Sequence, residues 1–149
     1  MLAWLKTNAA KARDTLTTEV AKFKNQKFMD ATTAGCALVA AADNDISAAE
    51  KSKMIGFITH SPELKVFDLK DVINSFNDHC TKFEFDVQIG RAEALKVVGK
   101  LKGNDGAARL LVRVVCSVGA SDGDFDEQEK AACRSICLEL GLDPADFEL

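Results

Sequence analysis

The sequence predicts an all-α fold: a compact single domain of about seven helices in which a helix–acidic turn–helix unit occurs twice. Three observations carry this expectation. Apolar residues recur at spacings of three and four along most of the chain, the period of a helix buried on one face. The breaks between these stretches hold helix-capping and turn residues, with no hairpin signal joining two alternating runs. Residues 43–51 and 122–130 also match each other, each between two helical stretches.

Taken in order, Leu2, Leu5, Ala9, Ala12, Leu16, Val20 and Phe23 mark one face of a first helix, with Lys6, Arg13, Asp14, Lys22 and Lys24 off it. An alanine-rich helix over about 28–42 follows and stops at Asp43-Asn44-Asp45. Ser47 and Glu50 read as a capping box opening a third helix to about His60. Ser61-Pro62-Glu63 breaks the chain, and Asp68 with Asp71 opens a fourth helix carrying Val72, Ile73, Phe76 and Cys80. The alternating run Phe83-Glu84-Phe85-Asp86 has no strand partner nearby, so it reads as the junction to a fifth helix with Ile89, Ala92, Leu95 and Val98. After a loop at 102–106, a sixth helix over about 107–120 is apolar on most sides and is expected to be the most buried. The seventh, over about 127–140, ends at Gly141, and Phe147 is expected to fold back onto the core.

The length of 149 residues fits one domain, 1–149, and can bury a core without disulfides. A net charge of −4 argues against a nucleic-acid surface, which needs a basic stripe. The charge is uneven. Residues 1–27 carry six Lys/Arg against Asp14 and Glu19, a net +4, so the rest of the chain carries −8. That basic amphipathic segment suits an anionic partner or the surface of an anionic membrane. The five cysteines, at 36, 80, 116, 133 and 137, sit in apolar runs without zinc or Cys-x-x-Cys spacing, which predicts buried reduced thiols and a cytoplasmic setting. No apolar run reaches membrane-spanning length, and the start lacks the order of a signal peptide.

One constellation carries chemistry. DNDISAAEK at 43–51 aligns with DGDFDEQEK at 122–130, an offset of 79 residues (122 minus 43). Asp43, Asp45 and Glu50 fall on Asp122, Asp124 and Glu129, and Ile46 falls on Phe125 as the apolar pin of each turn. Carboxylates at positions one, three and eight of such a turn can converge on a hard cation, which prefers oxygen ligands. Ser47 adds a hydroxyl to the first set and Asp126 a further carboxylate to the second, so the second is expected to be the tighter. An EF-hand does not fit: its Gly and Glu positions are Ala48 and Met54 in one copy, Glu127 and Cys133 in the other. The shorter loop favours Mg²⁺ or weakly held Ca²⁺. Capping alone also accounts for Ser47 with Glu50 and Asp126 with Glu129, though it has no need of Asp43, Asp45, Asp122 or Asp124. Both readings stand at this point. His60 and His79 show no clustered acid in the sequence, no phosphate loop or nucleophile motif occurs, and Trp4 suits either an anchor or a half-exposed position.

The stretches FKNQKFMDAT (23–32), DISAAEKSKMIGFI (45–58), ELKVFD (63–68), FEFDVQIG (83–90), SDGDFDEQEK (121–130) and LGLDPADF (140–147) together resemble the tellurite-resistance TerB family over nearly the whole chain. The resemblance implies two helical halves and an acidic surface for divalent cations, carried here by Asp43, Asp45, Glu50, Asp122, Asp124 and Glu129. It further implies roles in tellurite, phage and colicin resistance, and protein partners at the inner face of the bacterial membrane, notably the integral-membrane TerC type. The expected function is a cation-responsive interaction module and not an enzyme. A Mg²⁺-dependent enzyme on a small substrate, an adaptor without metal, and tellurium chemistry at the cysteines are the alternatives.

Overall fold

The computed structural model describes residues 3–6, 9–44, 46–121 and 123–149. These form α1 (Ala3–Lys6), α2 (Ala9–Lys22), α3 (Gln26–Ala40), α4 (Ala48–His60), α5 (Leu69–Phe85), α6 (Val87–Gly99), α7 (Asp105–Gly119) and α8 (Glu127–Glu139). Two 3₁₀ turns, Pro62–Leu64 and Pro144–Phe147, complete them. The expected all-helical architecture is present. The expected first helix is described as α1 and α2, with residues 7–8 between them outside the described residues. Along it Leu16 and Val20 are buried, so α2 belongs to the core and packs on the Pro62–Leu64 turn and α7.

Short polar side chains start the helices by accepting otherwise unpaired first-turn N–H groups. Asn25 caps α3 through the Phe28 N–H at 2.8 Å, Asp86 caps α6 through that of Ile89 at 3.0 Å, and Asn104 caps α7 through that of Ala107 at 3.2 Å. Asp86 is the only residue between α5 and α6, so the Phe83–Asp86 run is a helix corner, as its missing strand partner implies. That corner is tight enough to need a glycine. A Cβ on Gly90 would lie 2.6 Å from Phe83 Cα and 2.7 Å from Phe83 N.

The core differs from expectation in its centre. The apolar α7 is buried on most sides, but α3 shares the role: Phe28, Met29 and every residue from Ala31 to Ala40 are buried. α3 packs on α4, α5, α6, α7 and α8. Its alanines, Gly35 and Cys36 are small, and a helix with small side chains admits neighbours on several sides at once. The pins Ile46 and Phe125 are 8% and 6% exposed, so both acidic turns are anchored. At the carboxyl end Phe147 is fully buried, with the guanidinium groups of Arg109 and Arg113 at 5.9 and 5.2 Å from its ring centroid. The Ala3 N–H donates to Glu148 Oε2 at 2.8 Å, joining α1 to the residue that follows the Pro144–Phe147 turn.

Candidate functional site

The sequence duplication is also a duplication of backbone geometry. At the end of α3, the N–H groups of Ala41, Ala42 and Asn44 bond the carbonyls of Ala37, Val39 and Ala41. At the end of α7, those of Ala120, Ser121 and Gly123 bond Cys116, Val118 and Ala120, which are the same three bonds 79 residues (122 minus 43) later. Asn44 and Gly123 hold equivalent left-handed conformations, with φ of 69° and 79°. Glycine adopts this region freely, and asparagine is among the few other residues that tolerate it. The Asn44 side chain is also held, accepting from Arg91 Nη2 at 2.7 Å.

Each turn then starts a capped helix. Ser47 Oγ accepts the Glu50 N–H at 3.1 Å, and Asp126 Oδ1 accepts the Glu129 N–H at 2.8 Å. The reciprocal half of the box, Asp126 N–H to Glu129 Oε1 at 3.2 Å, forms at the second turn. The first turn has only the Ser47 half, which corrects the expectation of two full boxes.

Because α3 packs on both α4 and α8, the two turns open onto one cavity of about 190 Å³. Asp43 and Glu50 line it from the first turn, Asp126 and Glu129 from the second, above Val39, Met54 and Phe57. Residues of both acidic turns therefore line the same cavity. Ser47 is committed to its cap and Asp124 is exposed, and neither lines the cavity. Asp45 and Asp122 lie outside the described residues. Among the described residues, no three His, Cys, Asp or Glu side chains converge closely enough to hold a metal ion directly.

The lining also contains Lys53, which the sequence reading passed over. Its Nζ sits 5.6 Å from the Phe57 ring centroid. Glu50, Lys53, Met54 and Phe57 are three, four and seven residues apart and so share one face of α4, a signal available from the capping residue onward. The equivalent position in the second unit is Ala132, so the lysine breaks the repeat. An ammonium among four carboxylates offsets part of their mutual repulsion.

Elsewhere, His60 ends α4 with Nδ1 2.9 Å from the Gly56 carbonyl oxygen. All five thiols are buried. Burial pushes those of Cys36, Cys80 and Cys137 up to about 12, and a hydrogen bond with Cys116 together with burial raises that of Cys133. Such thiols lack the exposure and thiolate character that reactivity requires. No described helix is long and apolar enough to cross a membrane.

Among the described residues, eight α-helical segments built around two equivalent acidic turns define a duplicated, all-α domain with a charged cavity where its halves meet. The model of the family described as "Tellurite resistance protein TerB" matches residues 29–149, and the chain belongs to that family. It is 48% identical over 102 residues to a "Tellurium resistance protein TerB" from an Alcaligenes species, covering 68% of this chain and 84% of that relative. No solved structure matches the chain. It is thus a stress-response protein of the TerB family.

Proposed function

We propose that the chain is a stress-response interaction module that takes up one divalent cation, Mg²⁺ or weakly held Ca²⁺, between its two acidic turns. The observation that supports this reading is the arrival of four carboxylates from both turns in one small cavity. Oxygen donors suit a hard cation, and their separation suits an ion that keeps several of its waters, as Mg²⁺ does. Lys53 then acts as the resident counter-charge, which an incoming ion displaces or joins.

Calorimetric titration with MgCl₂ and CaCl₂ at fixed ionic strength tests the reading. One binding event is expected, weakened alike by Asp43→Asn with Glu50→Gln and by Asp126→Asn with Glu129→Gln. The amides keep the caps while removing charge. At a hundred-fold excess of ion over Kd the unaltered protein gains about 2.7 kcal/mol of stability. Two separate sites would instead leave each variant with one intact event. Asp122→Asn with Asp124→Asn tests the remainder of the second turn. If no divalent-specific heat is seen up to millimolar ion, capping is the whole role of the turns.

The proposed partners are proteins at the inner face of the membrane, of the TerC type that the family resemblance implies. The net +4 charge of residues 1–27 supports an anionic docking surface there. Truncating this segment would remove the buried Leu16 and Val20 and so report on folding. Lys11, Lys24 and Lys27 are exposed, and reversing all three to Glu isolates the charge. Binding to anionic vesicles or recovery with membranes should fall several-fold while stability stays within about 0.5 kcal/mol per substitution. Unchanged recovery would make the segment structural only.

A further inference from the structure

The two units of the repeat differ in how firmly their second helices are held. α4 (Ala48–His60) and α8 (Glu127–Glu139) begin and end at equivalent positions, 79 residues apart (127 minus 48), and each has 13 residues. They are therefore twins of one length and one place in the unit, set in different packing. α8 buries Cys133, Ile136 and Cys137, and Leu140 just beyond its end is buried too. α4 buries only Met54 and Ile58.

The missing anchor is Phe57. Its equivalent in α8 is Ile136, which is 1% exposed and seats against α3, its Cδ1 3.5 Å from where a Cβ on Gly35 would stand. The residue of α7 equivalent to Gly35 is the buried Val114, and a valine does not leave the room that a glycine does. Phe57 is instead half-buried and lines the acidic cavity, with the Lys53 ammonium near its ring. The side of α4 that carries Glu50, Lys53 and Phe57 thus faces a cavity where α8 has a packed contact.

Local sequence works in the same direction. Gly56 lies inside α4, where glycine is the weakest helix former after proline, and Phe57, Ile58 and Thr59 are weaker formers than alanine or leucine. The cap of α4 is the single Ser47 bond, whereas α8 has both halves of its box. Both ends of α4 are nevertheless fixed. Ile46 pins the chain before it. After it, Ser61 and Ser117 both donate to the carboxylate of Glu63, the Ser117 bond at 2.7 Å, and this fully buried group ties the Pro62–Leu64 turn to α7.

We propose that α4 is a releasable strap: between Ile46 and the Glu63 clamp it unwinds from the core while α3, α7 and α8 stay in place. Segments with few buried contacts open in this way at a lower free energy than global unfolding. Release carries Glu50 and Lys53 away from Asp126 and Glu129 and divides the acidic cavity. A cation held by both turns is lost on release and so fastens the strap, a control that rests on the proposed cation reading.

Native-state hydrogen exchange of the intact protein, resolved by residue and corrected for intrinsic rates, tests the strap first without any ion. The slowest amides of α4 should exchange at least about ten-fold faster than the slowest of α8. Low concentrations of guanidinium chloride should speed α8 more steeply than α4, because the slope scales with the surface that opening exposes. Gly56→Ala, whose added Cβ meets nothing within 4 Å, should slow α4 by roughly two- to five-fold. With MgCl₂ at about a hundred-fold excess over Kd and fixed ionic strength, α4 should slow at least about ten-fold.

The proposal is overturned if α4 exchanges no faster than α8, if the two share one denaturant slope, or if Gly56→Ala leaves α4 unchanged. It is overturned equally if calorimetry shows Mg²⁺ bound while α4 exchanges as it does without the ion. Fast, Gly56-sensitive exchange in α4 with no bound Mg²⁺ removes the cation reading and leaves the strap.

Discussion

Gly90→Ala is expected to cost on the order of 3 kcal/mol, the upper part of the range for overpacking. The added Cβ would stand 2.6 Å from Phe83 Cα and Cγ, and two of its three nearest atoms are backbone that no rotamer change can move. The α5–α6 corner must open, and Phe83, 1% exposed, must leave its place in the core. For a chain of this size each kcal/mol lowers Tm by roughly 2–4 °C. Gly56→Ala supplies the control: it sits inside α4 with nothing within 4 Å of its added Cβ, so it should gain about 0.5–1 kcal/mol through helix propensity. Thermal unfolding of both proteins checks the pair. A Gly90→Ala protein as stable as its parent would mean that the crossing has slack the packing does not show.

Gly90 also marks how far the sequence could be read. Helix positions, caps and turns were legible because each depends on residues within four of one another: Asp68 before α5, Asp126 with Glu129, Gly141 after α8. The duplicated turns were legible for the same reason. What local pattern could not supply was their meeting in one cavity, since that follows from α3 packing on both α4 and α8. The contact of His79 Nε2 with the Asp30 main-chain oxygen was hidden likewise, because 49 residues separate them and only the α3–α5 contact joins them. Lys53 was within reach, one turn beyond Glu50, but a search for carboxylates passes over a lysine.

Raising the pH from 9 to 12 is expected to unfold the protein through its thiols. In the folded chain burial lifts Cys36, Cys80 and Cys137 to about 12, above the ordinary 9.0. A folded-state pKa above the unfolded one gives stability that is complete below pH 9 and is lost as pH climbs toward 12. A rise of three units at one fully buried thiol amounts to on the order of 4 kcal/mol, a large part of the stability of a domain this size. The chain has no tyrosine, so thiolate absorbance can be followed without interference from tyrosinate. Thiolates should appear together with loss of helical circular dichroism, and Cys36→Ala should shift the transition upward by removing one ionising group. Gradual thiolate formation near pH 9 with helicity intact would show that solvent reaches these sulfurs in the native state.

The hydrogen bond from Ala3 to Glu148 makes the folded chain nearly a ring. Ala3 and Glu148 meet on one side of the molecule, so the order in which the helices are strung together is separable from how they pack. The loop at 102–104 lies between α6 and α7 and is exposed at Lys102, Gly103 and Asn104. A chain re-opened at Gly103, with its old ends joined by a short linker, keeps every helix whole and leaves each acidic turn attached to both of its flanking helices. It would differ mainly in bringing the α7–α8 half of the repeat ahead of the α3–α4 half, with the shared cavity reached from the opposite direction along the backbone.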